Sequence, residues 1–308
     1  MKKLMALLAL ALAATLPAPA RAALEVVTSV EGLAAIAREV GGARVAVTSL
    51  SRGIQDPHFV DANPNLAVEL RRADLLVDVG LDLEIGWLPP LVNQSRNPDI
   101  QPGGSRRLTA ASAVAVEEVP TGPVDRSLGD LHPAGNPHFL SDPRAVANIA
   151  RALAKKLGEI DPAGADYYRQ RLAEFERKVD AAQARWRAEL APFRGQPVLT
   201  QHNSFTYFLE WAGLTCAGYL EPKPGIPPPP SHLAELVGVV KARGVKAILV
   251  ENFYDLRSAE IVARHGGAKV VSVPGDVGGF RDEAGVLDPK DWFAYMDDLV
   301  QLVVGALK

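Results

Sequence analysis

Only one cysteine, Cys216, stands in the 308 residues, which leaves no intrachain disulfide and no thiolate metal cluster. It lies in the apolar run Leu214-Thr215-Cys216-Ala217-Gly218-Tyr219-Leu220 and reads as a small buried hydrophobe. A large excess of charge of either sign is lacking as well. The net charge is −3, and a mildly acidic chain lacks the basic footprint of a nucleic-acid binder. Beyond the first residues no apolar run approaches the roughly 20 positions needed to span a bilayer. Histidine is rare, six in all, and its placement carries the argument.

What is present begins with a leader. Lys2 and Lys3 form a basic start, Leu4 to Leu16 an apolar core, and Ala20-Arg21-Ala22 a small-x-small cleavage site. This pattern predicts a secretory signal peptide over 1–22, cleaved near Ala22, and therefore an exported, periplasmic protein. Its removal takes Lys2, Lys3 and Arg21 with it and moves the net charge from −3 to −6.

The remaining length suits two ordinary domains. Strand-like runs at Leu24–Ser29, Val45–Val47 and Leu75–Val79 alternate with helical spacing at Glu31–Val40 and a helix opened by Asn63-Pro64. That alternation implies a parallel sheet covered on both faces, with ligands bound at the strands' carboxyl ends. Residues 80–128 are less regular. Gly80 to Trp87 followed by Leu88-Pro89-Pro90 suggests a helix interrupted by prolines, and Pro102-Gly103-Gly104 a turn. Asp142 before Pro143 reads as the N-cap of a helix running to Leu157.

Ala165 to Ala191 contains neither Gly nor Pro, and its 27 positions would span about 40 Å as a helix. Leu172, Phe175, Val179, Ala182 and Trp186 give it one apolar stripe. The second part then repeats the alternation. It has strands at Val198–Thr200, 214–220, Ala247–Val250 and Lys269–Val273, and helices capped by Asn203 and Ser231, another near Arg257–His265, and a last one over Asp291–Leu307. The predicted architecture is α/β: two similar lobes with parallel sheets, joined by one long rigid helix. The boundaries expected are 23–160 for the first lobe, 161–194 for the linker helix and 195–308 for the second lobe.

Two Asx-Pro-His-Phe segments stand out, Asp56-Pro57-His58-Phe59 and Asn136-Pro137-His138-Phe139, with Gln201-His202-Asn203 at a later strand end. Three distant loops thus each offer one imidazole to a single ion in the interlobe cleft. Three neutral imidazoles and one carboxylate suit Zn²⁺. For the carboxylate Asp276 is preferred, in competition with Glu251, Asp255 and Asp282. His132 is either an accessory metal ligand or a solvated loop side chain. His232 and His265 sit in or near helices and read as structural. Because a ligating imidazole must be neutral, metal affinity should fall as pH drops through about 6.5.

With these residues in hand, the chain resembles the periplasmic metal-binding receptors of zinc and manganese ABC importers. The resemblance rests on Asp-Pro-His at 56–58, Asn-Pro-His-Phe-Leu-Ser-Asp-Pro at 136–143, Gln-His-Asn-Ser-Phe-Thr-Tyr-Phe at 201–208 and Glu-Pro-Lys-Pro-Gly-Ile-Pro-Pro at 221–228. It implies two α/β lobes joined by a backbone helix, with His58, His138, His202 and Asp276 as ligands. It also implies a monomer that hands zinc to a membrane permease driven by an ATPase, and no enzymatic activity. One feature departs from the common zinc pattern. Residues 118–135 hold only His132 with Glu118, Asp125 and Asp130, where many zinc members carry a long His- and acid-rich loop. The Gly-Asp-Leu-His-Pro-Ala-Gly-Asn-Pro-His form at 129–138 resembles a subgroup loaded by a periplasmic metallochaperone. A manganese site resembles one with a carboxylate in the third position, where this chain has His202. The competing readings are a manganese or iron receptor and a secreted zinc hydrolase, the latter without a His-Glu-x-x-His helix.

Overall fold

The computed structural model describes residues 23–122, 132–223, 225–278, 280 and 290–308. The expected leader over 1–22, with Asp125, Asp130 and Asp282, lies outside the described residues. Among those described, no helix is long and apolar enough to cross a membrane.

Two four-stranded parallel sheets form the frame. The first contains β1 (Leu24–Thr28), β2 (Val45–Ser49), β3 (Leu75–Asp78) and β4 (Arg107–Thr109), in the order β2-β1-β3-β4. The second contains β5 (Pro197–Thr200), β6 (Thr215–Tyr219), β7 (Ala247–Glu251) and β8 (Lys269–Val273), in the matching order β6-β5-β7-β8. The central strands β3 and β7 are buried along their whole length, as a sheet covered on both faces requires. Cys216 on β6 is half-buried, and burial pushes its thiol pKa up, leaving it an unreactive packing residue.

Helices α1 (Glu31–Gly41), α2 (Pro64–Arg72), α3 (Leu88–Ser95) and α4 (Pro143–Ile160) cover the first sheet. Local chemistry sets their starts. Asn63 accepts from the Asn65 amide with Pro64 in the first turn, and Asp142 accepts from the Arg144 amide with Pro143 behind it. The interrupted helix expected from Gly80 corrects to a run of turns followed by α3. Leu81 and Asp82 take left-handed backbone conformations (φ 55° and 64°), which no helix continues through. Pro89 and Pro90 fall in the first turn of α3, where their missing amides cost nothing. The short β4 is the one strand that sequence periodicity overlooks.

The long helix α5 spans Ala165–Leu190, 26 residues and about 39 Å. It buries Tyr168, Phe175, Val179, Ala182, Trp186 and Leu190 on one stripe. Beyond it, α6 (Thr206–Ala212), α7 (Pro230–Arg243), α8 (Arg257–Gly266) and α9 (Trp292–Leu307) cover the second sheet. A short 3-10 turn over Asn203–Phe205 precedes α6, so Asn203 is not its cap. Pro229, not Ser231, stands before α7.

One apolar core runs through the molecule. It joins Val26, Leu33 and Ile36 of the first lobe to Phe175, Val179 and Trp186 of α5, and on to Val198, Leu249 and Trp292 of the second. The far face of each sheet has a smaller core of its own. The Trp292 indole on α9 also donates to Leu140 O at 2.8 Å, tying the last helix to the first lobe.

Candidate metal centre

The two Asx-Pro-His segments form the same local device. His58 N donates to Asp56 Oδ1 at 3.0 Å, and His138 N donates to Asn136 Oδ1 at 2.9 Å. Each is an Asx-type turn, with the intervening proline limiting the backbone and the imidazole swung toward the cleft. Their likeness ends at the ring. His58 Nδ1 also donates to Asp56 Oδ1 at 2.7 Å, which leaves Nε2 for a ligand. The Trp87 indole donates to Pro57 O at 2.8 Å and steadies this loop from behind. The third imidazole follows β5, where His202 Nδ1 donates to Glu221 Oε2 at 3.0 Å. Thr200 Oγ1 donates to His202 O at 2.7 Å.

These rings meet. Centroid separations are 5.2 Å between His58 and His138, 5.3 Å between His58 and His202, and 5.1 Å between His138 and His202. One potential ligand atom from each lies within 4.8 Å of the others. Nε2 of His138 and Nε2 of His202 are both buried without a hydrogen-bond partner. Two orphaned lone pairs in a buried triangle are costly unless something fills them. A tetrahedral cation with nitrogen bonds near 2.0–2.1 Å would do so after a small contraction.

His132 also turns inward. It is 6% exposed, its ring centroid lies 5.3 Å from that of His58, and the two Nε2 atoms are 3.2 Å apart. A solvated loop position is therefore not what this residue occupies. Burial, reinforced by charge on His58 and His202, drives its pKa down to about 3. Burial likewise holds His138 well below the ordinary imidazole value. Both stay neutral, and available as ligands, in solutions more acid than the expected midpoint near 6.5.

The carboxylates divide by what they touch. Asp56 and Glu221 orient rings, a role that the sequence pattern alone marks for neither. Asp56 was on view in its turn motif. Glu221 follows β6 as His202 follows the neighbouring β5, a pairing that only the sheet order reveals. Burial would raise the Asp56 pKa, but its bonds to His58 bring it below the usual range. Asp276 lines the same cavity as His58 and His138. Its carboxyl faces the start of α1 in the other lobe, drawing on the backbone of Glu31 and Gly32 and on the Val277 amide at 2.8 Å. Burial pushes its pKa up to about 7. Asp255 is bonded to Arg257. His232 Nε2 lies 2.9 Å from Tyr219 O, and His265 is exposed in the last turn of α8.

Glu251, at the end of β7, lines the cavity too, with neither carboxyl oxygen in a well-formed hydrogen bond. Burial pushes its pKa up to about 8 from 4.5, against a smaller downward pull from Ser204. A raised carboxyl pKa contributes stability in full below the unfolded value of 4.5 and loses it as pH rises through 8. Glu251→Gln keeps the shape and removes that loss. Thermal melts of the metal-free protein should show the variant roughly 5 °C more stable at pH 8 and no different near pH 4. Equal melting at pH 8 would dismiss a buried neutral carboxyl at this position.

Comparison with known proteins gives the family and the fold. A family model described as "Zinc-uptake complex component A periplasmic" (ZnuA) matches residues 26–306. Over 152 residues the chain is 27% identical to the high-affinity zinc uptake system protein ZnuA of Brucella abortus (strain 2308), covering 49% of this chain and 41% of that protein. The match thus spans less than half the length of that relative. Over 255 residues it is 26% identical to the manganese ABC transporter substrate-binding lipoprotein PsaA of Streptococcus pneumoniae, covering 78% of this chain and 76% of that one. The crystal structure of ZnuA superposes with a TM-score of 0.75 at 22% identity, over 93% of this chain and all of that one. The Mn-bound periplasmic metal binding protein from candidatus liberibacter asiaticus gives 0.72 at 18%, over 92% and 99%. These two structural likenesses establish the fold.

Proposed function

Since the chain belongs to the ZnuA family of metal ABC-transporter substrate-binding receptors, we propose that it captures Zn²⁺ outside the cytoplasm and delivers it to an import permease driven by an ATPase. The observation that carries this reading is the triangle of His58, His138 and His202, with two buried Nε2 atoms that nothing satisfies. The first two imidazoles come from the lobe over 23–160 and the third from the lobe over 195–308, so an ion held by all three would bridge the lobes. Asp276 is the proposed fourth ligand, leaving α1 for the ion. His132 is an accessory ligand at the rim that takes part in capture and release. In this reading the leader is removed near Ala22 and the mature protein works as a monomer in the periplasm. A periplasmic metallochaperone that loads it with zinc is a further proposed partner.

Selectivity follows from donor chemistry. A third imidazole at His202 favours a borderline ion such as Zn²⁺ over Mn²⁺, which prefers oxygen. Receptor action, not catalysis, fits the two carboxylates that bond the rings of the triangle. Asp56 and Glu221 are engaged with ring nitrogens and do not stand free to activate water. The manganese receptor is the second reading, supported by the longer match to the streptococcal lipoprotein. Competition titration of the metal-free protein, with metal analysis of the protein as purified, separates the two. Zinc is expected to displace manganese at equal concentration, and a preference for manganese would overturn the assignment.

A further inference from the structure

A dense polar knot lies just outside the histidine triangle. Asn136, two residues before His138, is 2% exposed and uses every polar atom it has. Its Oδ1 holds the His138 amide. Its Nδ2 donates to Glu118 Oε2 at 2.7 Å and to Asn203 O at 2.9 Å. Its backbone N donates to Glu117 O at 2.9 Å, and its carbonyl accepts from the Tyr207 hydroxyl at 2.8 Å. Asn203 directly follows His202. One side chain of the first lobe therefore grips both the His138 turn and the His202 turn.

Glu118 closes the knot. Its Oε1 accepts from Thr206 Oγ1 at 3.0 Å and from the Tyr219 hydroxyl at 3.3 Å, and its Oε2 also faces Asn203 Nδ2 at 3.4 Å. Three of these four partners belong to the second lobe. Glu118 holds them from a left-handed backbone conformation (φ 52°), unfavourable for a residue with a side chain. Such a conformation persists where surrounding bonds over-determine it. Alongside, the Glu117 amide donates to the Tyr207 hydroxyl at 2.9 Å, a second bridge between the lobes.

We propose that Glu118 and Asn136 form an interlobe clamp that fixes the spacing of His138 and His202 and so governs how firmly the ion is retained. The proposal rests on the receptor reading above. Neither residue touches the ion; both are positioning residues acting through the two turns. Support of this kind around metal ligands is commonly worth a factor of ten to a hundred in affinity.

The test uses the full chain with Glu118→Ala and the near-isosteric Glu118→Gln, which removes the charge that all four donors share and leaves one oxygen for the Asn136 and Asn203 amides. Zinc competition titration is expected to show affinity about tenfold weaker for Glu118→Ala, with Glu118→Gln between it and the unmodified protein. The visible absorption of the Co²⁺-loaded protein, which reports ligand geometry, should change in both variants. In the metal-free protein, hydrogen exchange at residues 136–140 and 203–207 should quicken. Unchanged affinity and an unchanged Co²⁺ spectrum would overturn the clamp while leaving the receptor reading intact. Should the unmodified protein bind neither zinc nor cobalt, the receptor reading falls, and the clamp as a governor of retention falls with it. Should Glu118→Ala fail to fold, Glu118→Gln alone decides by the same two readouts.

Discussion

Replacing His58, His138 and His202 together by alanine is expected to abolish zinc binding in a competition titration. Heat resistance conferred by zinc should vanish with it. A ligand present at a thousand times its Kd stabilises the folded state by about 4 kcal/mol. For a chain of this size that corresponds to a rise in melting temperature on the order of 10 °C. The unmodified protein should show this rise on adding zinc, and the triple variant none. Far-ultraviolet circular dichroism should match between the two without metal, because the rings line a cleft and do not build the apolar core. Zinc affinity retained by the triple variant would remove the ion from this site altogether. The effect is large because the three rings arrive from three loops in two lobes, so no single loop keeps a site of its own.

Gly53→Ala should weaken zinc binding from a position that contacts no metal. Gly53 is buried in the turn after β2, where the His58 loop passes the loop that carries Asp276. A Cβ added there would lie 2.1 Å from Val277 O and 2.2 Å from Gly278 O. Both obstacles are backbone, so one loop must retreat by about 1 Å before ordinary contact is restored. That retreat moves His58 away from Asp276 and pries the cleft open. Overpacking of this kind costs about 2 kcal/mol in stability, and a site loosened by 1 Å loses affinity steeply. Titration and thermal melting of Gly53→Ala should both register the change, with zinc affinity at least tenfold lower. Gly238→Ala on α7 is the matched control. Its Cβ would meet nothing within 4 Å, so affinity should hold. Wild-type affinity and melting in Gly53→Ala would mean that the loop contact has no influence on the site.

The parts of the molecule legible in its sequence are those written locally. Asp142-Pro143, Asn63-Pro64 and Asp291 announce helix starts because a cap needs only its own first turn. The unbroken stretch of α5 and the buried strands β3 and β7 were equally plain, since burial on every side demands apolar runs. The family resemblance drawn from the Asx-Pro-His segments agrees with the family that matches the chain. Illegible were features set by distant neighbours. β4 is Arg-Leu-Thr, with one buried apolar residue and an arginine held by Asp78 of β3. Gly80 to Trp87, ahead of Pro89 and Pro90, reads as an interrupted helix, but Glu84 accepts from the Val79 and Gly80 amides and closes a turn instead. Glu221 and Glu118 acquire their roles only through strands and loops far away in the chain. Physical chemistry at that range is invisible until the sheets are assembled.

The uninterrupted apolar core has a consequence for how such a protein can be divided or recombined. Its lobes look like separable modules, yet Val26 and Ile36 share one continuous interior with Trp186, Leu249 and Trp292. Cutting the chain at either end of α5, or grafting one lobe onto a foreign scaffold, would expose an apolar wall to water. Lineages that alter metal preference are thus freer to exchange the loops at the cleft than to shuffle whole lobes.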